Sequence, residues 1–270
     1  MKRLRLLLVL LLAAALSGCA GTENSEKTVP TKDTDTIYQI ALLQSLTLGE
    51  YDGSLPVREW KAYGDTGIGT FDRVNGEMIV LDGVVYQALG DGSVVVADEN
   101  ATIPFANIGY FDNDIEVSVS AADMGEIRQV LDNLVANNGA NQFYMIKLPG
   151  SFTRMEVRSE LEQSKPYKPL TEVLAADQRV FDYINLEGTV VGLYCPSYMN
   201  GLNTPGWHFH FISEDKTKGG HVLDFTLKEG TISLDKTSNF QMCVPDNKRF
   251  NELDLSANLQ SQIQRVEGGK

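Results

Sequence analysis

Residues 206–224 read GWHFHFISEDKTKGGHVLD and contain all three histidines of the chain. His208 and His210 are two apart, and Trp207, Phe209 and Phe211 occupy the alternate positions. Side chains of a strand point to opposite faces in turn. The pattern therefore predicts a strand with His208, His210 and Ile212 on one face and the three aromatics on the other. Lys216 to Gly220 supply turn residues, and HVLDFTL resumes as a second strand. In an antiparallel hairpin with an even-numbered loop, His221 falls opposite His208 or His210, on the same face, with Cβ atoms roughly 5 Å apart. Three imidazoles so placed form a tripod for a divalent metal. A three-histidine set leaves a position for water or substrate, which is the arrangement of catalytic rather than structural zinc.

Outward from the hairpin, the chain of 270 residues is long enough for one large or two small domains. Asn75-Gly76, Asp82-Gly83 and Asp91-Gly92 separate short apolar runs between Gly67 and Ala97. Such pairs accept positive φ and close tight hairpins, so this region predicts a β-meander. Phe105 to Val119 predicts one or two further strands. Asp123 and Glu126 have capping-box spacing ahead of a stripe of Ile127, Val130, Leu131 and Leu134, and Asn138-Gly139 ends that helix. Gln142–Leu148 and Thr153–Arg158 read as two strands, Leu170–Ala176 as a short helix, and Glu187–Tyr194 as the strand entering the histidine hairpin. Thr231 to Val244 continues the antiparallel pattern. Asp246 to Val266 reads as helical, with Leu253, Leu259 and Ile263 on its buried face. Helices segregated from mostly antiparallel strands predict an α+β fold of mixed sheets in two packed sub-domains. The sheet-rich part spans 36–150 and the metal-binding part 151–270.

Before residue 36 the text changes character. Lys2, Arg3 and Arg5 precede the apolar run Leu6 to Leu16, and Leu16-Ser17-Gly18-Cys19 has the form of a bacterial lipobox. Residues 1–18 read as a lipoprotein signal peptide, with Cys19 as the lipidated N-terminus and residues 19–35 as a polar tether. The chain is then expected outside the cytoplasm, touching the membrane only through that anchor. Its net charge is −13, and about −16 once the three leader cations are gone, which argues against nucleic-acid binding. The other two cysteines, Cys195 and Cys243, are free to pair in an exported protein, and the sequence does not decide whether they do.

In order along the chain, Tyr51-Asp52-Gly53, Gly67-Ile68-Gly69-Thr70-Phe71, Asn75-Gly76-Glu77, Leu81-Asp82-Gly83 and Arg158-Ser159 are followed by Pro166-Tyr167-Lys168-Pro169-Leu170. Glu187-Gly188-Thr189, Pro205-Gly206-Trp207-His208-Phe209-His210-Phe211 and Gly219-Gly220-His221 complete the series. This text resembles the α-acetolactate decarboxylases over nearly the whole mature chain. The resemblance implies conversion of 2-acetolactate to acetoin and CO2 by a homodimeric carboxy-lyase with a zinc ion, or another divalent metal, on His208, His210 and His221. It implies that the metal chelates the substrate's hydroxyl and ketone oxygens and stabilises an enediolate. It also implies functional roles for Glu77, Arg158 and a late glutamate, best matched by Glu267. Asn75 and Trp207 stand where the family more often has Asp and Tyr, and the lipobox departs from members without an export signal.

Two other readings remain open on the sequence. His208-Phe209-His210 with Glu214 superficially fits a cupin metal motif, although cupins place the last histidine in a separate later motif. An acidic lipoprotein that only binds zinc at the cell surface is the non-enzymatic alternative. A carrier needs no arginine clamp beside its metal.

Overall fold

The structure is a computed structural model that describes residues 32–267. The segment read as a signal peptide, Cys19 and the expected tether up to Thr31 lie outside the described residues. Among those described, no helix is long and apolar enough to cross a membrane.

The fold is α+β and is built on two large sheets. The first has seven strands in the order Asn239–Cys243, Thr36–Ile40, Phe105–Gly109, Thr66–Thr70, Glu77–Leu81, Val84–Ala88 and Val94–Val96. Its last four form the meander expected from the Asn-Gly and Asp-Gly pairs, and Gly76, Gly83 and Gly92 all have positive φ. The second sheet has the order Phe143–Glu160, Gln178–Cys195, Gly206–Ser213, Gly219–Thr237 and Ile115–Asp123. Phe143–Glu160 also pairs with Gly219–Thr237, so four strands are hydrogen-bonded in a closed circuit.

The sheets do not divide the chain at residue 150. Ile115–Asp123 and the helix Met124–Asn138 belong with the second sheet, while Asn239–Cys243 crosses back to the first and pairs in parallel with Thr36–Ile40. That parallel pairing corrects the expectation of a continued antiparallel run to Val244. A second correction concerns Gln142–Leu148 and Thr153–Arg158, which are one strand of 18 residues. Pro149-Gly150 does not break it because Gly150 lies opposite Gly188 on one side and Gly230 on the other. Three glycines in register let the backbones approach where a Cβ on Gly150 would meet the Glu229 carbonyl oxygen at 2.7 Å.

The helix at Met124 has the full reciprocal cap. The Asp123 carboxylate accepts from the Glu126 amide at 2.9 Å, and the Glu126 carboxylate accepts from the Asp123 amide at 2.9 Å. Ile127 and Leu131 are buried in the core that holds Trp207, Phe209 and Phe211, and Val130 and Leu134 pack at its border. The aromatic face of the histidine strand is therefore anchored against this helix. Trp207 stacks on Phe209 at 5.7 Å and donates its indole N–H to Asp132 at 3.1 Å.

The tail departs from the single helix expected over 246–266. It forms Lys248–Glu252 and Gln260–Glu267, joined by an irregular link. Asp254 accepts from both the amide and the hydroxyl of Ser256, a local turn that competes with helix. Gln44 then ties down the carbonyls of Leu255 and Ala257. Ile263 is buried with Val266, whereas Leu253 and Leu259 are only partly covered. Cys195 is buried and Cys243 exposed, and both are free thiols.

Asp235 is 1% exposed on the second sheet. Burial, reinforced by the neighbouring Asp114 and Asp112, raises its carboxyl to about 7. Between its ordinary value and 7 the folded chain holds a proton that the unfolded chain does not, so this group makes stability fall as pH rises through that window. Asp235→Asn is expected to raise the melting temperature by roughly 4 °C or more at pH 8 and by little at pH 4. Melting curves across that range check it, and an equal gain at both pH values contradicts the assignment.

Candidate metal centre and its carboxylates

The hairpin forms as the pattern required. Its four-residue loop, Glu214 to Thr217, is closed by the Ser213 amide donating to the Lys218 carbonyl at 2.8 Å. The loop starts two residues earlier than expected, and Gly219 and Gly220 belong to the returning strand. Gly220 has φ +149°, and a Cβ there would meet the Arg158 carbonyl oxygen at 2.5 Å. Close approach of the neighbouring strand thus explains why glycine stands directly before His221.

His210 pairs with His221, and His221 pairs on its other side with Arg158. A single transverse row across three strands therefore puts two imidazoles and a guanidinium on one face. His208 shares that face by parity with His210. All three histidines and Arg158 are buried.

The ring nitrogens converge. His208 Nε2 lies 3.1 Å from His210 Nε2 and 3.0 Å from His221 Nδ1. These three ligand atoms fall within 4.8 Å of one another. His210 donates from Nδ1 to the Met78 carbonyl at 2.8 Å, which fixes its tautomer and turns the Nε2 lone pair toward the other two rings. Burial, with Arg158 and Arg128 adding to it, pushes His208 down to about 3. Burial also holds His210 and His221 well below the usual imidazole range. Three neutral imidazoles aiming lone pairs at one point suit a divalent cation. Tetrahedral coordination at about 2.0–2.1 Å puts ligand nitrogens about 3.3 Å apart, close to the separations seen. The donor set fits a metal ion.

Glu77 and Glu267 reach this point from different elements. Glu77 opens a strand of the first sheet directly after the Asn75-Gly76 turn, and its Oε2 is 3.5 Å from His210 Nε2. Glu267 ends the last helix, with Oε2 at 3.0 Å from His208 Nε2 and 4.0 Å from His221 Nδ1. Burial raises Glu77 well above the carboxylate range, helped by the like charge of Glu160. Burial raises Glu267 to about 7, against the pull of Arg158.

Glu160 was not singled out from the sequence. It is 2% exposed and lines the same cavity. Its Oε1 is 3.4 Å from Arg158 Nε, and its carboxyl faces that of Glu77, yet neither of its oxygens accepts a conventional hydrogen bond. The parity argument used for the histidines would have found it. Arg158 and Glu160 are two apart on one strand, and so share the face that looks into the site.

All six residues proposed from the sequence thus line one cavity. Leu46, Val74, Phe105, Leu170, Leu174 and Val266 give it an apolar roof. An α+β fold with three buried histidines converging beside an arginine and three carboxyl groups defines the class: an enzyme-like cavity whose histidines could hold a metal ion. The family model for alpha-acetolactate decarboxylase matches residues 37–257, and the chain belongs to that family. The alpha-acetolactate decarboxylase of Methanosarcina mazei is 40% identical over 253 residues, covering 93% of this chain and 86% of that protein. That of Methylococcus capsulatus is 37% identical, covering 86% and 88%. The crystal structure of alpha-acetolactate decarboxylase from Bacillus subtilis strain 168 superposes with a TM-score of 0.83 at 32% identity, covering 86% of this chain and 99% of that one. The match to the family model stops before Glu267, so that residue's place in the site rests on its geometry.

Proposed function

We propose that this protein catalyses the metal-dependent decarboxylation of 2-acetolactate to acetoin and CO2, with zinc on His208, His210 and His221. The observation that carries the reading is the convergence of three neutral imidazoles in one cavity with Arg158 and the Glu77 and Glu267 carboxyls. A bound divalent ion supplies Lewis acidity toward the electron pair left when CO2 departs.

The rest of the chemistry belongs to the side chains. Arg158 offers a planar fork of donors to the substrate carboxylate and holds it until the C–C bond breaks. Glu160 lies 3.4 Å from the Arg158 Nε in the same cavity and partly balances its charge. Loss of CO2 from a carboxylate leaves carbon one proton short. Glu77 and Glu267 are the carboxyl groups nearest the histidines, and one of them delivers that proton. The apolar roof keeps bulk water away, which protects the electron pair from indiscriminate protonation and strengthens every charge interaction inside.

The leader segment supports a further part of the reading, that the enzyme is exported and held at the membrane through a lipidated Cys19. The homodimer expected from the resemblance is tested by light scattering on the purified mature chain. Incubating metal-replete protein with 2-acetolactate is expected to release acetoin, and a strong chelator is expected to stop it until metal is restored. No acetoin from metal-replete protein would overturn the reading in favour of a metal carrier.

A further inference from the structure

The turn Asp72 to Gly76, which leads into Glu77, holds two consecutive residues in the left-handed region, Arg73 at φ +61° and Val74 at φ +52°. Glycine and asparagine accept that region, whereas a β-branched residue there is rare and strained. Val74 is 3% exposed, and it lines the histidine cavity. The other apolar residues of that wall, Leu46, Phe105, Leu170, Leu174 and Val266, stand on helices and strands with ordinary backbone. Core packing accounts for them. It does not account for Val74, because glycine would hold the same turn without strain.

The turn is held firmly. The Arg73 amide donates to the Tyr51 carbonyl at 2.9 Å, and the Arg73 carbonyl accepts from the Gln163 amide at 2.9 Å. The Val74 carbonyl accepts from the Gly76 amide at 2.9 Å. The Asn75 carbonyl accepts from the Gln87 side chain at 2.6 Å, and the Gly76 carbonyl from the Thr70 hydroxyl at 2.8 Å. Distant parts of the chain thus fix the backbone on which Val74 stands. Its side chain is itself stiff, since branching at Cβ restricts χ1. Val74 is therefore a rigid stop in an otherwise more adaptable apolar wall.

We propose that Val74 is a specificity-determining residue that limits the size of the alkyl groups the site admits. The inference rests on the decarboxylase reading for the identity of the substrate. In that reading Arg158 takes the carboxylate of 2-acetolactate and the metal takes its hydroxyl and ketone oxygens, which leaves two methyl groups for the apolar wall. A hydrophobic pocket discriminates one methylene by roughly 10–200-fold. A wall that cannot relax keeps that discrimination, because close-packed side chains transmit strain when a guest is too large.

The test measures kcat/KM for 2-acetolactate against its two homologues in which one methyl is replaced by ethyl, on the carbon that loses CO2 or on the ketone. In Val74→Ala the preference for 2-acetolactate over at least one homologue is expected to fall by about tenfold. Val173→Ala trims the same apolar cluster by the same two carbons at a residue that does not line the cavity, and is expected to leave the preference unchanged. Val74→Gly is expected to relax the preference as far, and to melt no lower than Val74→Ala, because glycine relieves the left-handed φ. Calorimetry on the metal-loaded protein gives a readout without turnover. Relative to 2-hydroxy-2-methylpropanoate, the bulkier unreactive acid 2-ethyl-2-hydroxybutanoate is expected to gain about tenfold in affinity in Val74→Ala. Unchanged preferences in Val74→Ala, or an equal shift in Val173→Ala, would overturn the proposal. Melting of Val74→Gly well below Val74→Ala would do the same, since the turn would then carry no strain. If the parent makes no acetoin, the decarboxylase reading fails, and the calorimetric ratio alone decides whether Val74 sets the size limit.

Discussion

Replacing His210 by alanine is expected to abolish acetoin formation and empty the site of metal. Loss of residues that merely orient a metal ligand costs roughly 10–100-fold in affinity or activity, so loss of the central ligand should exceed 100-fold in metal affinity. Activity should fall by about 10³-fold or more, since two imidazoles hold a divalent ion far less well than three. His210 is central because it faces His221 across the hairpin, lies 3.1 Å from His208 and is fixed by the Met78 carbonyl. The substitution also removes the hydrogen bond that His210 gives the Met78 carbonyl, at about 0.5–1.5 kcal/mol. A melting curve therefore accompanies the metal analysis. Retained turnover with full metal content would refute the ligand assignment.

Arg158→Ala is expected to separate binding of the metal from use of the substrate. The residue sits beside His221 on the same face without presenting a lone pair, so metal content should stay near that of the parent. Turnover should fall by roughly 10²–10³-fold, the usual loss when one aimed donor to developing charge is removed. Arg158→Lys keeps the charge but not the planar fork, and should recover only part of the rate. Glu160 adds a structural cost, because its buried carboxyl loses the cation 3.4 Å away. Metal loss in Arg158→Ala, or full turnover in Arg158→Lys, would mean that the guanidinium serves folding or charge balance and not the substrate's carboxylate.

What the sequence disclosed follows from the range of the forces involved. The hairpin, the capping box at Asp123 and the meander turns depend on residues within about one turn or one strand pair of each other, and their side-chain types state the requirement directly. The convergence of the three histidines was legible for the same reason, since parity and an even loop put His221 opposite His208 or His210, and the pairing is with His210. The unbroken passage of Phe143–Glu160 through Pro149-Gly150 was not legible, because it depends on Gly188 and Gly230 arriving from distant parts of the chain. The return of Asn239–Cys243 to pair beside Thr36–Ile40 is likewise a tertiary event. Glu77 and Glu267 carried no local sign of the roles proposed for them. A glutamate after an Asn-Gly turn or near a helix end is ordinarily solvated, and only the packing of both sheets and the last helix buries these two.

The closed circuit of strand pairing has a consequence for how the protein lives with its ion. At His210 the backbone is stitched to a neighbour on each side, to Val191 and to His221, and neither bond ladder needs a cation to exist. Small zinc modules collapse when stripped because the ion is what folds them. Here the backbone ladders on both sides of the histidine strand are made without the ion, so depletion in a metal-poor environment is expected to leave an intact shell ready for reoccupation.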